Sequence, residues 1–531
     1  MSLTKRVLQR YHQLKSTRGT WESHWQEIAD LTFPNHPQFV GDETRGTKKG
    51  LKMYDSTTAH ASELLAAGLN GLLTNPASEW FNLKLTDSEA NQQRDVKEWL
   101  YAVKRIMNDA INAPEAAFST HIHEMYLGYE VFGTGLLFIG ETLNRQGLMF
   151  KSVPLSEAYI AENSEGTVDT VFRTINTMTV ANLVERWGLD KVSEGTKKKF
   201  QDEKFDQVIE VVHAVQPMFL TEETGVDMKY SSIFVETGEK HILSVSGYEE
   251  FPYAVPRFYK TAGEVYGRGP GVTSLPDNKL LNEMMRVTIK ASQLVISPPL
   301  QAPDKGFLNP VRTIPGGINY FKAGSKDRIE PLFTGANIPI SVELMNEIRQ
   351  RIRSIFFIDQ LMLIRGPEMT ATEVLQRTEE TMRLLGPVLG RMQSEALGPI
   401  IDRVFSVLSR QGRLPEAPSR VQGQQIEIEY TSPIAKAQKQ LEAGSLQRVF
   451  ELATPLLSID PVLAKKFDGS KIIDGLFDMF GVRPDFLLEE EEFQSVQQQQ
   501  SEAEAQAQQA EINKTNSEAG LNVANVQQAL Q

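Results

Sequence analysis

Two short stretches carry residue types that could do chemistry, and each fails a test of spacing. His121-x-His123-Glu124 brings two imidazoles and a carboxylate together. A helical zinc site, however, needs His-Glu-x-x-His so that both rings share one face, and position 127 is leucine. The stretch reads as a surface or partly buried helix with paired histidines. Gly267-x-Gly269-x-Gly271 has the glycine content of a nucleotide loop, but its spacing departs from the dinucleotide fingerprint, and Pro270 removes one N–H that a phosphate would use. The reading that remains is a rigid bend leading into a helix. Neither Gly-Lys-Ser/Thr nor Gly-x-Ser-x-Gly occurs, which excludes a P-loop motor and a nucleophile elbow. The carboxylates show no spacing that singles out an acid–base pair. The expectation is a protein without catalytic residues, metal or cofactor.

What is left is positive charge in marked places. Arg349 and Arg353 lie four residues apart, on one face of a helix. Taken alone they form a solvated face paired with Glu343 and Glu347; repeated around an axis, they become rings of charge. Arg365-Gly366-Pro367 is a bend bearing a cation. Thr370-x-x-Glu373 directly after it is a capping box, in which each side chain covers the other's exposed backbone N–H.

The elements that must hold these residues follow from periodicity. Trp21, Trp25 and Ile28 repeat at helical spacing before a Pro34-Asn-His-Pro37 stop, Ala59 to Leu73 forms a second helix, and Val96, Leu100, Val103 and Met107 mark a third. After Gly133-Thr-Gly135 the period shortens to two. Val168, Thr170 and Phe172 alternate with Asp169, Val171 and Arg173, Val208 to Val215 is rich in β-branched residues, and Thr237 to Lys240 is a hairpin turn between Ser231–Val235 and His241–Val245. Helical spacing returns with Leu280, Met284, Val287, Ala291 and Leu294, an apolar stripe that Pro298-Pro299 ends. Residues 298–337 read as a strand-and-turn insertion, and Met345, Ile348, Ile352, Ile355 and Phe356 mark the next helix. A long helix from Ala371 to about Arg410 should kink or break at Gly386-Pro387 and Gly398-Pro399. A short strand at Gln425 to Tyr430 and helices to Phe480 precede a glutamine-rich end. The fold class is α+β, predominantly helical.

Composition narrows the function classes. The 531 residues are 40% hydrophobic and 23% charged, with a formal net charge of −13. That is globular composition, and its sign argues against a surface that grips nucleic acid throughout. Cysteine is absent, which removes disulfides, thiolate zinc sites and thiol nucleophiles and suits an intracellular birthplace. The longest apolar runs, Leu64–Leu73 and Ser354–Ile364, are too short for a membrane span, and the N-terminus lacks the apolar core of a secretion signal.

Taken together, Tyr11 to Pro34 with its tryptophan pair, Phe132-Gly-Thr-Gly135, Glu264-Val-Tyr-Gly-Arg-Gly-Pro-Gly271, Glu368-Met-Thr-Ala-Thr-Glu-Val374 and Leu385-Gly-Pro387 are specific. Over roughly residues 8–480 the sequence resembles the portal, or head-to-tail connector, proteins of short-tailed, podovirus-type bacteriophages. The resemblance implies a homo-oligomeric ring, commonly of twelve subunits, at one capsid vertex of the virion. Double-stranded DNA would be packaged through it by terminase and later ejected into the tail. Further implied partners are a tail adaptor and the capsid and scaffolding proteins, with no cofactor, no membrane and assembly in the host cytoplasm. It also implies a division into wing (1–271), first stem helix (272–297), clip (298–337), second stem helix (338–364), tunnel loop with kinked wing helix (365–432), helical crown (433–482) and a barrel helix or disordered tail (483–531). The channel residues would be Arg365, Gly366, Pro367, Glu368 and Met369 of the loop, with Arg349, Arg353, Arg286 and Lys290 of the stem. Lys305, Arg312, Lys322, Lys326 and Arg328 of the clip would meet partners. The alternatives are a virion scaffold or internal structural protein without a channel, and an enzyme, such as a nuclease, built on dispersed carboxylates.

Overall fold

The computed structural model describes residues 2–41, 46–87, 90–142, 147–221, 227–296, 300–301, 320, 330–331, 338–362, 385–421 and 423–430, with helical segments at 448–449, 452–453, 469–480, 495–496, 498–499, 502–503, 506 and 509–510. In chain order, α1 (Leu3–Thr32) and α2 (Thr57–Leu73) precede β1 (Phe81–Leu85), α3 (Arg94–Asn112) and α4 (Phe118–Phe132). Strands β2 (Leu137–Glu141), β3 (Leu148–Ser152), β4 (Ala158–Glu162) and β5 (Val168–Ile175) follow, then α5 (Val180–Trp187) and α6 (Glu194–Gln201). Next come β6 (Val211–Pro217), β7 (Tyr230–Glu236), β8 (His241–Tyr248) and β9 (Tyr253–Ala254). A long helix, α7 (Pro270–Ile296), leads to the two-residue strands β10 (Leu300–Gln301) and β11 (Glu330–Pro331). Helices α8 (Ile338–Ile355) and α9 (Ile358–Met362), helix α10 over residues 385–392, a π-helical turn (Gln393–Leu397), α11 (Gly398–Arg410), β12 (Ile426–Tyr430) and α12 (Gly469–Phe480) complete the order.

The chain divides into two units, residues 1–80 with 106–414 and residues 81–105 with 415–531. In the first, β4-β5-β6-β7-β8 form an antiparallel sheet, and the expected hairpin joins its last two strands. Both faces of β5 are covered. On one side Val7, Leu8 and Tyr11 of α1 pack on Tyr159, Phe172, Ala214 and Ile233; on the other Val180 and Leu183 of α5 pack with Val211 and Phe234. The period-two pattern therefore marks a strand without separating core from solvent. Buried Arg18 ties α1 to the sheet by donating to the carbonyls of Leu155 (2.8 Å), Ala158 (2.7 Å) and Ser156 (3.0 Å). Buried Glu236 holds the start of α6, accepting from Ser193 N (3.0 Å), Ser193 Oγ (2.6 Å) and Thr196 Oγ1 (2.8 Å). Both carboxylate oxygens thus satisfy helix-terminal donors that burial would otherwise leave unpaired.

In the second unit, β12 stands where sequence alternation puts it, and its antiparallel partner is β1, about 340 residues earlier, with Phe81 opposite Tyr430 and Leu85 opposite Ile426. Trp99 of α3 donates its indole N–H to Pro415 O at 3.0 Å. Val96, Leu100, Val103 and Met107 are buried, as their spacing requires.

The glycine pairs explain each other. Helix α4 ends at Gly133, whose φ of +85° an L side chain rarely adopts. A Cβ on Gly267 would come within 2.2 Å of Gly133 O, one on Gly269 within 2.1 Å of Glu130 O, and one on Gly271 within 2.3 Å of Val131 O. Gly-Arg-Gly-Pro-Gly thus lays bare backbone against the last turn of α4, a rigid bend into α7.

The helix expected to break at Gly398-Pro399 does not break. Residues 385–410 are continuously helical, with a π turn at Gln393–Leu397. Pro399 has no N–H for the carbonyl four residues back, so Glu395 O is free to accept Val255 N at 3.2 Å. The Glu395 carboxylate also takes three bonds from Arg257: the backbone N at 2.8 Å, Nε at 3.2 Å and Nη2 at 2.7 Å. Wide helical winding carries the helix past the proline, and the freed carbonyl anchors it. Gly386-Pro387 stands at the start of the described helix, and the expected break there falls at the edge of the described residues.

Candidate functional site

The cationic residues singled out above belong to α7, α8 and the segments that follow each. Helices α7 and α8 pack side by side, and β10 pairs antiparallel with β11 between them, Leu300 opposite Pro331. Arg365, Gly366, Pro367, Glu368 and Met369 lie outside the described residues, as do Lys305, Arg312, Lys322, Lys326 and Arg328.

The stripe read as the apolar face of α7 is not its buried face. Leu280, Val287 and Leu294 are 48%, 51% and 41% exposed, and Ile296 at the end is 83% exposed. The buried side is instead Ser274, Leu275, Asn278, Leu281 and Asn282. Two asparagines can be buried there because they are bonded into a ladder. Asn278 Nδ2 donates to Leu31 O at the end of α1 (3.0 Å), Asn282 Nδ2 donates to Asn278 Oδ1 (2.7 Å), and Asn282 Oδ1 accepts the backbone N–H groups of Tyr54 (2.7 Å) and Asp55 (3.2 Å). The ladder sets the 54–55 loop against α7, and the loop in turn sets α8.

Asp55 is the residue that does so. Its Oδ2 accepts from Arg349 Nε at 3.0 Å and Nη2 at 2.7 Å, and its Oδ1 caps Thr57 N at 2.8 Å. Burial pushes the Asp55 carboxyl upward, and the hydrogen bonds from Thr57 and Arg349 more than reverse it, holding the group below its ordinary value. Arg349 is therefore neither a free cation nor a partner of Glu343 or Glu347. Its remaining donor goes to Asn346 Oδ1 at 2.8 Å. The expected pairing fails because a buried carboxylate from another element offers a drier, fixed partner than a mobile glutamate on the same helix. Arg286 is held by Glu283. Among the described residues, Lys290 and Arg353 are exposed and have no ion-pair partner.

The stripe on α8 packs as expected, with Met345, Ile348, Ile352 and Phe356 buried. Its opposite face carries Glu343, Asn346, Glu347, Gln350, Arg353 and Ser354, all exposed. Arg351 reaches Asp277 of α7 at 2.9 Å, which clamps the two helices at their edge. His121 bonds Glu124 Oε2 at 2.9 Å on α4, and among the described residues no cluster of three or more acidic or imidazole side chains could hold a metal ion. Nor is any described helix long and apolar enough to cross a membrane.

Asp55, Asn278, Asn282 and Glu395 escape sequence reading. The one signal available was the pair of asparagines four residues apart in α7. This arrangement of two paired helices, one with an exposed apolar stripe and the other with a polar outer face, contains no reactive constellation among the described residues.

Comparison with known sequences agrees. Residues 4–488 match the family described as bacteriophage head to tail connecting protein. The portal protein of Salmonella phage epsilon15 is 32% identical over 511 residues, spanning 94% of this chain and 91% of that protein. A probable portal protein of Bordetella phage BPP-1 is 31% identical over 519 residues, spanning 96% and 93%. The portal protein of Escherichia phage T7 is 23% identical over 419 residues, spanning 77% and 75%. The chain belongs to the family of bacteriophage head-to-tail connecting proteins.

Proposed function

We propose that this chain is a portal subunit whose copies form a ring at one vertex of a phage capsid, and that duplex DNA enters and leaves the head through the bore. The observation that carries this reading is the family match across nearly the whole chain, with relatives themselves described as portal proteins. The paired helices support it. In the ring, the polar outer face of α8 lines the bore and the apolar outer stripe of α7 is covered by the next copy.

The electrostatics suit passage. Each phosphate neutralised by a fixed cation adds to a salt-sensitive affinity, so a uniformly basic bore would hold DNA rather than conduct it. On α8, Arg349 is neutralised by Asp55, and Arg353 shares the outer face with Glu343 and Glu347. Contacts of this kind go to the backbone and carry no sequence preference. We assign residues 272–297 and 338–364 to a stem, 298–337 to a clip that meets terminase and then a tail adaptor, and the Arg365-Gly-Pro bend to a loop that narrows the channel. The helix behind that loop is tethered at Glu395, so a loop contact has a fixed base to act against. Twelve copies is the expected number.

Negative-stain imaging of the purified protein tests the reading. Closed rings with a bore wide enough for duplex DNA support it; monomers or solid particles count against it. Arg365→Glu should leave ring assembly intact and alter packaging or retention of DNA, and an unchanged yield of filled heads would remove that residue from the channel.

A further inference from the structure

Away from α7 and α8, the two sheets of the first unit meet along an aromatic seam with an excess of positive charge at its rim. Residues directly opposite in an antiparallel pair project from the same face. One such row crosses β3, β2 and β9 as Lys151, Phe138 and Tyr253. Another crosses β5, β6 and β7 as Arg173, His213 and Phe234. The rows touch: Tyr253 Oη lies 3.2 Å from His213 Nδ1, the Phe138 ring meets His213 edge-on at 6.2 Å, and His213 stacks on Phe234 at 4.0 Å. Helix α5 adds Arg186, whose guanidinium sits 5.0 Å from the Phe234 ring and 4.9 Å from Trp187.

Lys151 beside Phe138, Arg173 beside His213 and Arg186 over Phe234 thus flank this seam from three elements, and Glu157 is the carboxylate bonded among them. Glu157 accepts both Nε (3.0 Å) and Nη2 (2.9 Å) of Arg173. Among the described residues, Lys151 and Arg186 have no ion-pair partner, and both are exposed. Although both reach solvent, the packing around them together with Arg173 and Arg186 holds Lys151 below the usual lysine value, opposed by Glu157, and packing with Arg173 does the same to Arg186. Like charges that act on one another in this way are relieved when an anion joins them.

We propose that Lys151, Arg173 and Arg186 form a binding site for a phosphate group. A planar carboxylate matches a single guanidinium fork, and that pairing is already made between Glu157 and Arg173. A tetrahedral phosphate has oxygens for donors arriving from three directions, and its charge matches the two uncompensated cations. The site is independent of the portal reading, since it involves neither α7 nor α8.

Calorimetric titration of the full-length protein with inorganic phosphate tests it. Wild type should bind, and Lys151→Gln with Arg186→Gln should weaken binding by at least about tenfold. Glu157→Gln, which frees Arg173 and removes the competing charge, should tighten it. Lys151→Gln alone alters one exposed side chain and should melt like wild type while still losing affinity. Competition with a short DNA duplex separates the sources: displacement of phosphate assigns the site to a nucleic-acid backbone, and its absence to a free phosphate. Lack of phosphate binding, equal binding by the double variant, or preference for a glutamate-rich peptide would overturn the proposal.

Discussion

Helices α7 and α8 lie against each other, yet their outward faces differ in kind. Leu280, Val287 and Leu294 give α7 an exposed apolar stripe, interrupted by the exposed charges of Glu283 and Lys290, whereas Glu343, Glu347, Gln350 and Arg353 make the α8 face polar, with exposed apolar side chains only at Val342 and Leu344 near its start. The inner faces are reversed, because α7 buries two asparagines and α8 buries Met345, Ile348, Ile352 and Phe356. Apolar periodicity thus marks the inside of one helix and the outside of its neighbour. An exposed apolar stripe of this length suits contact with another copy of the chain, as in the proposed ring.

The strongest way to break the comparison is to charge the α7 face. Leu280→Glu with Val287→Glu should abolish assembly, seen as loss of rings and a monomer in sedimentation velocity. The isolated chain should change stability by only about 0.5 kcal/mol, because both positions are exposed. If rings persist, α7 does not meet its neighbour through this stripe.

Next in size is the link that sets one helix against the other. Asp55→Ala leaves the Arg349 guanidinium without its buried partner and should cost about 2–3 kcal/mol in urea unfolding. The pH dependence has a definite sign. The folded carboxyl titrates below its unfolded value of about 3.9, so its contribution is complete above that value and is lost as pH falls through the lower folded one. Asp55→Asn should therefore flatten the acid limb of the stability curve.

Under the start of α7 the sign is opposite. Glu130 is fully buried, neither of its carboxylate oxygens has a hydrogen-bond partner, and burial, with Glu63 adding to it, holds its carboxyl well above the usual range. Such a group favours folding only while protonated, so it lowers stability as pH rises above the unfolded value. Glu130→Gln should stabilise by about 1–3 kcal/mol, more at pH 8 than at pH 5 in thermal melts. Equal melting at both values would mean that the carboxyl finds a partner in solution. The smallest effect on folding is expected on the polar face of α8: Arg353→Gln should change unfolding by less than about 0.5 kcal/mol and leave rings intact. Its signature is a shallower salt dependence of DNA retention, measured in filled heads.

Much of the architecture is legible in the chain. The helices around Trp21 to Ile28, Val96 to Met107 and Met345 to Phe356, the hairpin at Thr237 to Lys240 and the Gly-Arg-Gly-Pro-Gly bend follow from spacing alone, because local sterics and backbone hydrogen bonding act within a few residues. The partner of β12 was not legible, since β1 lies some 340 residues away and alternation says nothing about which strand will pair. Gly398-Pro399 was read correctly as an interruption of helical bonding, but the interruption does not break the helix. A π turn absorbs the missing N–H because Val255 and Arg257 stand ready to use the freed Glu395 oxygens.

Periodicity by itself determined that α7 and α8 are amphipathic helices, and the cation count determined that nucleic acid could be touched only locally. Which side of α7 is inside was decided in three dimensions. The Asn278–Asn282 ladder makes a polar face buriable, and Asp55 pins Arg349 to the 54–55 loop. Hydrogen bonds between residues more than 200 positions apart outweigh the local hydrophobic pattern there, because a buried polar group with every partner in place costs little and a buried charge without one costs several kcal/mol.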